Sequence, residues 1–108
     1  MRAIVWSNKA ALFFLEAVEQ IKESSPANAQ KVSEVILQKI ESAAVFPEQQ
    51  RRDKYKKDND AGLFRAFELY SFRISFYFND EILRIVRVAY KAKTFEILGC
   101  YAADFLKM

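Results

Sequence analysis

Histidine is absent from this 108-residue chain and cysteine occurs once, at Cys100. One thiol excludes an internal disulfide, and with neither imidazole nor a thiolate cluster no metal site is expected. A single cysteine suits a reducing cytoplasm, and Cys100 itself reads as a small buried apolar side chain. Glycine and proline number two each, which argues for a folded protein with little loop and against disorder. Long apolar runs are missing too. The longest, residues 10–15, stops at Glu16, and the run at residues 3–6 is far shorter than the apolar region of a signal peptide. No membrane span and no cofactor are therefore expected.

What is present is apolar and aromatic. Hydrophobic residues make up 52% of the chain, with ten Phe and five Tyr, enough for one domain with its own core and too short a chain for two. So many rings in so small a core imply that some lie at the surface, where they mark a partner interface. The net charge is only +3, but it is uneven. Residues 1–47 hold five basic and five acidic side chains, whereas 48–108 hold twelve and nine. The excess lies in the second half, as a contact with nucleic acid or an acidic protein would require.

The chain reads as α+β. Residues 3–6 form a short β-favouring run, followed by Ser7 and Asn8, either of which can cap a helix. Over 9–24, Ala11, Phe14, Leu15, Val18 and Ile21 recur at helical spacing and predict an amphipathic helix. Ser25 and Pro26 end it and start the next, because Ser caps well and Pro is tolerated at the first helical position. The second helix, about 27–44, presents Ala29, Val32, Ile36, Ile40 and Ala43 on one face, and Pro47 ends it. A break this short predicts an antiparallel helix hairpin packed on a sheet. Residues 48–62 carry five basic and four acidic side chains with no periodicity and read as a loop. A short C-terminal helix or tail, 94–108, follows the strands.

Residues 64–93 read as a three-stranded antiparallel meander, with a turn at Tyr70-Ser71. Phe72, Ile74, Phe76 and Phe78 alternate with Arg73, Ser75 and Tyr77, the period of a half-buried strand. A three-residue loop at Asn79, Asp80 and Glu81 would set Phe72 opposite Val88, Ile74 opposite Val86 and Arg73 beside Arg87. Like charges facing across a sheet are unfavourable, so this register calls for an anion between them.

Each cation has an ordinary reading beside its functional one. Arg73 either pairs with Glu68 across the Tyr70-Ser71 turn or contacts a ligand. Arg65 and Arg87 sit inside otherwise apolar strands, which favours a function. Lys91 and Lys93 read as a solvated strand end. Arg51, Arg52, Lys54, Lys56 and Lys57 could grip nucleic-acid phosphates, but Asp53, Asp58 and Asp60 interleave with them, as in a solvated loop. The Phe stripe is core, while Tyr55, Tyr77 and Tyr90 suit base stacking or a protein contact.

Three stretches, SPANAQKVSEVILQKI, FPEQQRRDKYKKDNDAGLFRAFEL and FRISFYFNDEILRIVRV, taken with this order of elements, resemble the RelE/ParE superfamily of bacterial toxins. The nearest likeness is to its plasmid-stabilisation branch, over about residues 4–93. The resemblance implies the toxin of a type II toxin-antitoxin pair, neutralised by a small cognate antitoxin. RelE-like members cleave mRNA in the ribosome; ParE-like members inhibit DNA gyrase without that chemistry. Arg73 falls on the arginine of the family's tyrosine-arginine pattern, here Phe72-Arg73. Arg65 lies near a basic position, and Lys91 or Lys93 falls where cleaving members carry a basic residue.

A ribosome-dependent endoribonuclease would use Arg65, Arg73, Arg87, Tyr90 and Lys91 catalytically, with Arg51, Arg52, Lys54, Lys56, Lys57 and Lys93 on RNA. Relatives often end the last strand with arginine and histidine, and Ala89 and Tyr90 stand there instead. Lys or Tyr, with ordinary pKa values near ~10, would then have to serve as the base. The alternatives are a gyrase inhibitor that uses the helix hairpin and tail, and a degenerate toxin that binds only its antitoxin.

Overall fold

A computed structural model describes residues 1–91. The chain forms strand β1 (Ala3–Trp6), helices α1 (Asn8–Ser24) and α2 (Pro26–Val45), then strands β2 (Arg51–Arg52), β3 (Phe64–Leu69), β4 (Phe72–Phe78) and β5 (Ile82–Tyr90). The strands make one sheet in the order β1-β5-β4-β3-β2, with β1 parallel to β5 and every other pair antiparallel. The expected strand, helix hairpin and meander are all present. The predicted C-terminal helix lies outside the described residues.

Both helix starts follow from side-chain capping. Ser7 Oγ accepts from the Ala10 N–H at 3.1 Å, and Ser25 Oγ from the Asn28 N–H at 3.3 Å, with Pro26 as the first residue of α2. The helices pack on each other and cover one face of the sheet. In α2 the buried face is the expected one, centred on Ile36 and Ile40. In α1 the seam is Ala10, Phe14 and Ala17, at i, i+4 and i+7. Small alanines let the helix approach closely, so Leu15, expected in the core, lies about 100° past Phe14 and is 60% exposed.

The loop expected over 48–62 holds more order than its composition implied. Pro47–Gln49 is a 3-10 turn, and Arg51 and Arg52 pair with Ala66 and Arg65 as an edge strand. Asn59 acts as a further partner for the sheet. Its amide donates to the Phe64 carbonyl at 2.8 Å and accepts the Phe64 N–H at 3.1 Å.

The β4–β5 register differs from the expected one. The loop is the expected three residues, 79–81, but Phe78 faces Leu83 instead of Ile82; Asn79 closes the turn, its N–H donating to the Ile82 carbonyl and its side-chain oxygen accepting from the Glu81 and Ile82 N–H groups. A bulge follows, because Ser75 faces Arg87 while Phe76 faces Ile85. Ile74 therefore faces Val88 and Phe72 faces Tyr90, and Arg73 sits opposite Ala89 rather than Arg87. The extra residue is Val86, which with Arg87 points away from the helices. The direct arginine pair predicted from sequence is replaced by a diagonal one.

Candidate functional site on the open face of the sheet

The helices cover one face of the sheet, and among the described residues the other has no layer of secondary structure upon it. Strand alternation and register place Phe64, Ala66 and Glu68 of β3 there, with Arg73, Ser75 and Tyr77 of β4, Arg84, Val86, Arg87 and Ala89 of β5, and Ala3 and Val5 of β1. The segment after β2 folds over part of this face and makes one wall of a cleft of about 620 Å³. Asp53, Tyr55, Lys56, Phe64, Arg73, Ser75, Val86, Arg87 and Ala89 line it.

Arg73 holds that wall in place. One guanidinium nitrogen bonds Asp53 at 3.0 Å, another bonds Glu68 at 3.0 Å, and the group lies 4.7 Å from the Tyr55 ring centre. Both readings of Arg73 thus have a basis, since the Glu68 pair exists and the residue also lines the cleft. Asp53 is the more enclosed partner, its side chain 11% exposed against 68% for Glu68. Sequence reasoning overlooked Asp53 because it is 20 residues from Arg73 and sat among charges read as a solvated loop. Lys56 lies 4.6 Å from the Phe64 ring, and Phe64 and Tyr77 are neighbours across the strands at 5.3 Å.

The other expected catalytic residues do not converge here. Arg65 faces Phe76, on the helix side. Its guanidinium donates to the Gly62 and Gln50 carbonyls at 2.8 and 3.0 Å, tying the loop to the end of the 3-10 turn. Tyr90 is also on the helix side, 8% exposed, with its ring stacked on Phe72 at 4.4 Å. Burial raises its pKa above the ordinary 10.0, opposite to what a general base requires. Strand parity put both residues where the Phe stripe already was. Arg87 and Arg73 share the cleft, and Lys91 lies beside them in a shallower depression with Ala89.

Among the residues expected on nucleic acid, Lys56 is in the main cleft. Arg51, Arg52 and Lys54 line a second one, of about 440 Å³, with Lys39 from α2. Arg52 packs on Gly62, whose φ of +70° favours glycine; a Cβ there would also come within 2.9 Å of the exposed Arg52 side chain, which would have to move aside. Lys57 is exposed, and Lys93 lies outside the described residues. Among the described residues no group of side chains could hold a metal ion, and no helix is long and apolar enough to cross a membrane.

A profile described as the ParE toxin of the type II toxin-antitoxin system parDE matches residues 4–95. The chain belongs to the ParE toxin family. It is accordingly a type II toxin, whose partner is a cognate antitoxin. A comparison with curated proteins finds no match. Among solved structures the toxin is similar to the chromosomal ParDE TA system from P. aeruginosa, with a TM-score of 0.65 and 18% identity over 83% of this chain and 96% of that one. At that identity the likeness is one of fold, and it agrees with the ParE-like arrangement of strand, helix pair and meander.

Proposed function

We propose that this toxin acts in the cytoplasm by binding a protein target without covalent chemistry, and that the target is DNA gyrase. The observation that supports this reading is the division of the expected catalytic set between the two faces of the sheet. In-line attack by a ribose 2′-OH needs a proton acceptor and charge-stabilising cations at one phosphate. Arg65 holds backbone carbonyls on the helix side, Tyr90 is a buried phenol, and Arg73 is matched by two carboxylates. ParE-type kinship favours gyrase over the ribosome.

Ribosome-dependent mRNA cleavage is the second reading, favoured by Arg73, Arg87 and Lys56 lining one cleft. One pair of measurements separates the two. Purified toxin should block ATP-dependent supercoiling of relaxed plasmid by gyrase, and mRNA should stay intact while growth arrests. Full supercoiling at saturating toxin would remove the first reading. Ribosomal mRNA cuts that vanish in Arg87→Ala would establish the second.

A further inference from the structure

We infer that the cationic cleft at the β2 edge of the sheet binds the phosphate backbone of duplex DNA, with Lys39, Arg51, Arg52 and Lys54 each taking a phosphate. The choice of duplex rests on the gyrase reading, because DNA is what gyrase works on, and the inference adds a contact between the toxin and that DNA itself. Its first support is uncompensated charge. These four cations line one cleft of about 440 Å³, and among the described residues none of them has an ion pair. The acids that neighbour them do not neutralise them. Asp53 is turned to Arg73, as is Glu68 on the cleft wall, and Asp60 meets Arg52 through its backbone carbonyl, at 3.5 Å, instead of its carboxylate. Like charges gathered from α2, β2 and the segment after it repel one another, and a row of phosphates relieves that repulsion.

The second support is the frame that holds these side chains. Arg65 donates to the Gln50 carbonyl at 3.0 Å, immediately before Arg51, and Arg51 and Arg52 pair with Ala66 and Arg65. Arg73 binds Asp53, immediately before Lys54. The stretch that carries three of the four cations is thus fixed at both ends, so binding costs little ordering entropy. The third support is what the cleft lacks. Its apolar lining residues among those described, Ala66 and Phe67, are buried, which leaves no apolar anchor for a protein partner. Single strands fit less well than duplex because the rings here are already covered. Phe67 has Lys39 at 5.9 Å over it, and the Tyr55 ring has Lys54 at 5.1 Å and Arg73 at 4.7 Å. Cations without a stacking platform suit a continuous backbone contacted irrespective of sequence.

The test titrates the full-length toxin, without gyrase, into a fluorescein-labelled DNA duplex of random sequence and follows anisotropy. Four phosphate contacts predict an affinity that falls about 100-fold between about 50 and about 200 mM salt. Arg51→Gln/Lys54→Gln should weaken binding at least about tenfold and flatten the log–log salt slope by about two, and Lys39→Gln should flatten it by about one. Lys22→Gln, on the exposed side of α1, should bind as wild type. Circular dichroism checks that each variant folds. Acetylation of the unaltered protein, which needs no variant, should show the duplex protecting Lys39 and Lys54 but not Lys9 or Lys22. Absence of wild-type binding at low salt, unchanged slopes in both cleft variants, or acetylation of Lys39 and Lys54 unaffected by the duplex overturns the proposal. Inhibition of supercoiling by the same preparation would then leave the gyrase reading standing. Duplex binding that depends on these cations while supercoiling proceeds in full would support the proposal and remove the gyrase reading. Tighter binding to a single-stranded RNA of the same length, lost in the same variants, would give the cleft to RNA and overturn the proposal.

Discussion

Arg73 organises more of the open face than any other side chain. It joins β4 to β3 through Glu68 and to the covering segment through Asp53, with Tyr55 beneath it. These contacts differ in weight. Glu68 is mostly in water, where an ion pair contributes about 0–1 kcal/mol. Asp53 is enclosed, and a carboxylate left without its partner in such a place costs about 1–3 kcal/mol. Urea denaturation should therefore show Arg73→Ala losing about 1–3 kcal/mol and Glu68→Ala less than about 1 kcal/mol. Equal losses would mean that the Asp53 contact contributes nothing. Tyr90 gives a second expectation at this scale. Its buried hydroxyl keeps its proton to higher pH in the folded protein than in the unfolded chain. Below the unfolded value of 10.0 the group adds no pH dependence, and above it stability falls as pH rises toward the folded pKa. Tyr90→Phe keeps the ring on Phe72 and should make that alkaline loss shallower when thermal midpoints are followed across the range.

Between β3 and β4 the hairpin loop is the two residues Tyr70 and Ser71, both left-handed, at φ of 52° and 67°. Such a turn matches the twist of the strands but suits Asn-Gly, and each L residue held there costs about 1 kcal/mol. The double substitution Tyr70→Asn/Ser71→Gly should therefore raise stability by about 1–2 kcal/mol, read as a higher urea midpoint with an unchanged slope. No gain would mean that contacts of the Tyr70 and Ser71 side chains offset the strain. Elements of this kind were legible in the sequence to different degrees. The caps at Ser7 and Ser25 and the stripe from Phe72 to Phe78 could be read because each depends on neighbours within a few residues. The α1 seam was misjudged by one position, since Leu15 and Ala17 both satisfy a helical period and only the closeness of the sheet selects alanine. The two-residue strand β2 has no periodicity to detect, and its pairing with β3 exists only because the chain returns along that edge.

Across the whole molecule, β1 joins the two ends of the described chain. Its Ala3 lies beside Ile82 and its Trp6 beside Ile85, while the Trp6 ring meets Phe14 of α1 at 5.4 Å. Because Trp6 is the sole tryptophan, its fluorescence reports on the strand that closes the sheet. Fluorescence and far-UV circular dichroism should give coincident denaturation curves, as in a single cooperative unit; an earlier fluorescence transition would mean that β1 detaches by itself. What the sequence alone determined was local: composition that excluded a disulfide, helical and strand periods, caps at Ser7 and Ser25, and a surplus of cations in the second half. Which face each cation occupies was decided only by tertiary structure. A strand's side chains alternate, so the bulge at Ser75/Phe76 turned Val86 outward, and together with the one-residue shift at the loop it set Arg73 beside Ala89 and made the arginine pair diagonal. Arg65 and Tyr90 fell on the helix side by the same alternation, and Asp53 reached Arg73 only because the chain folds back over the sheet.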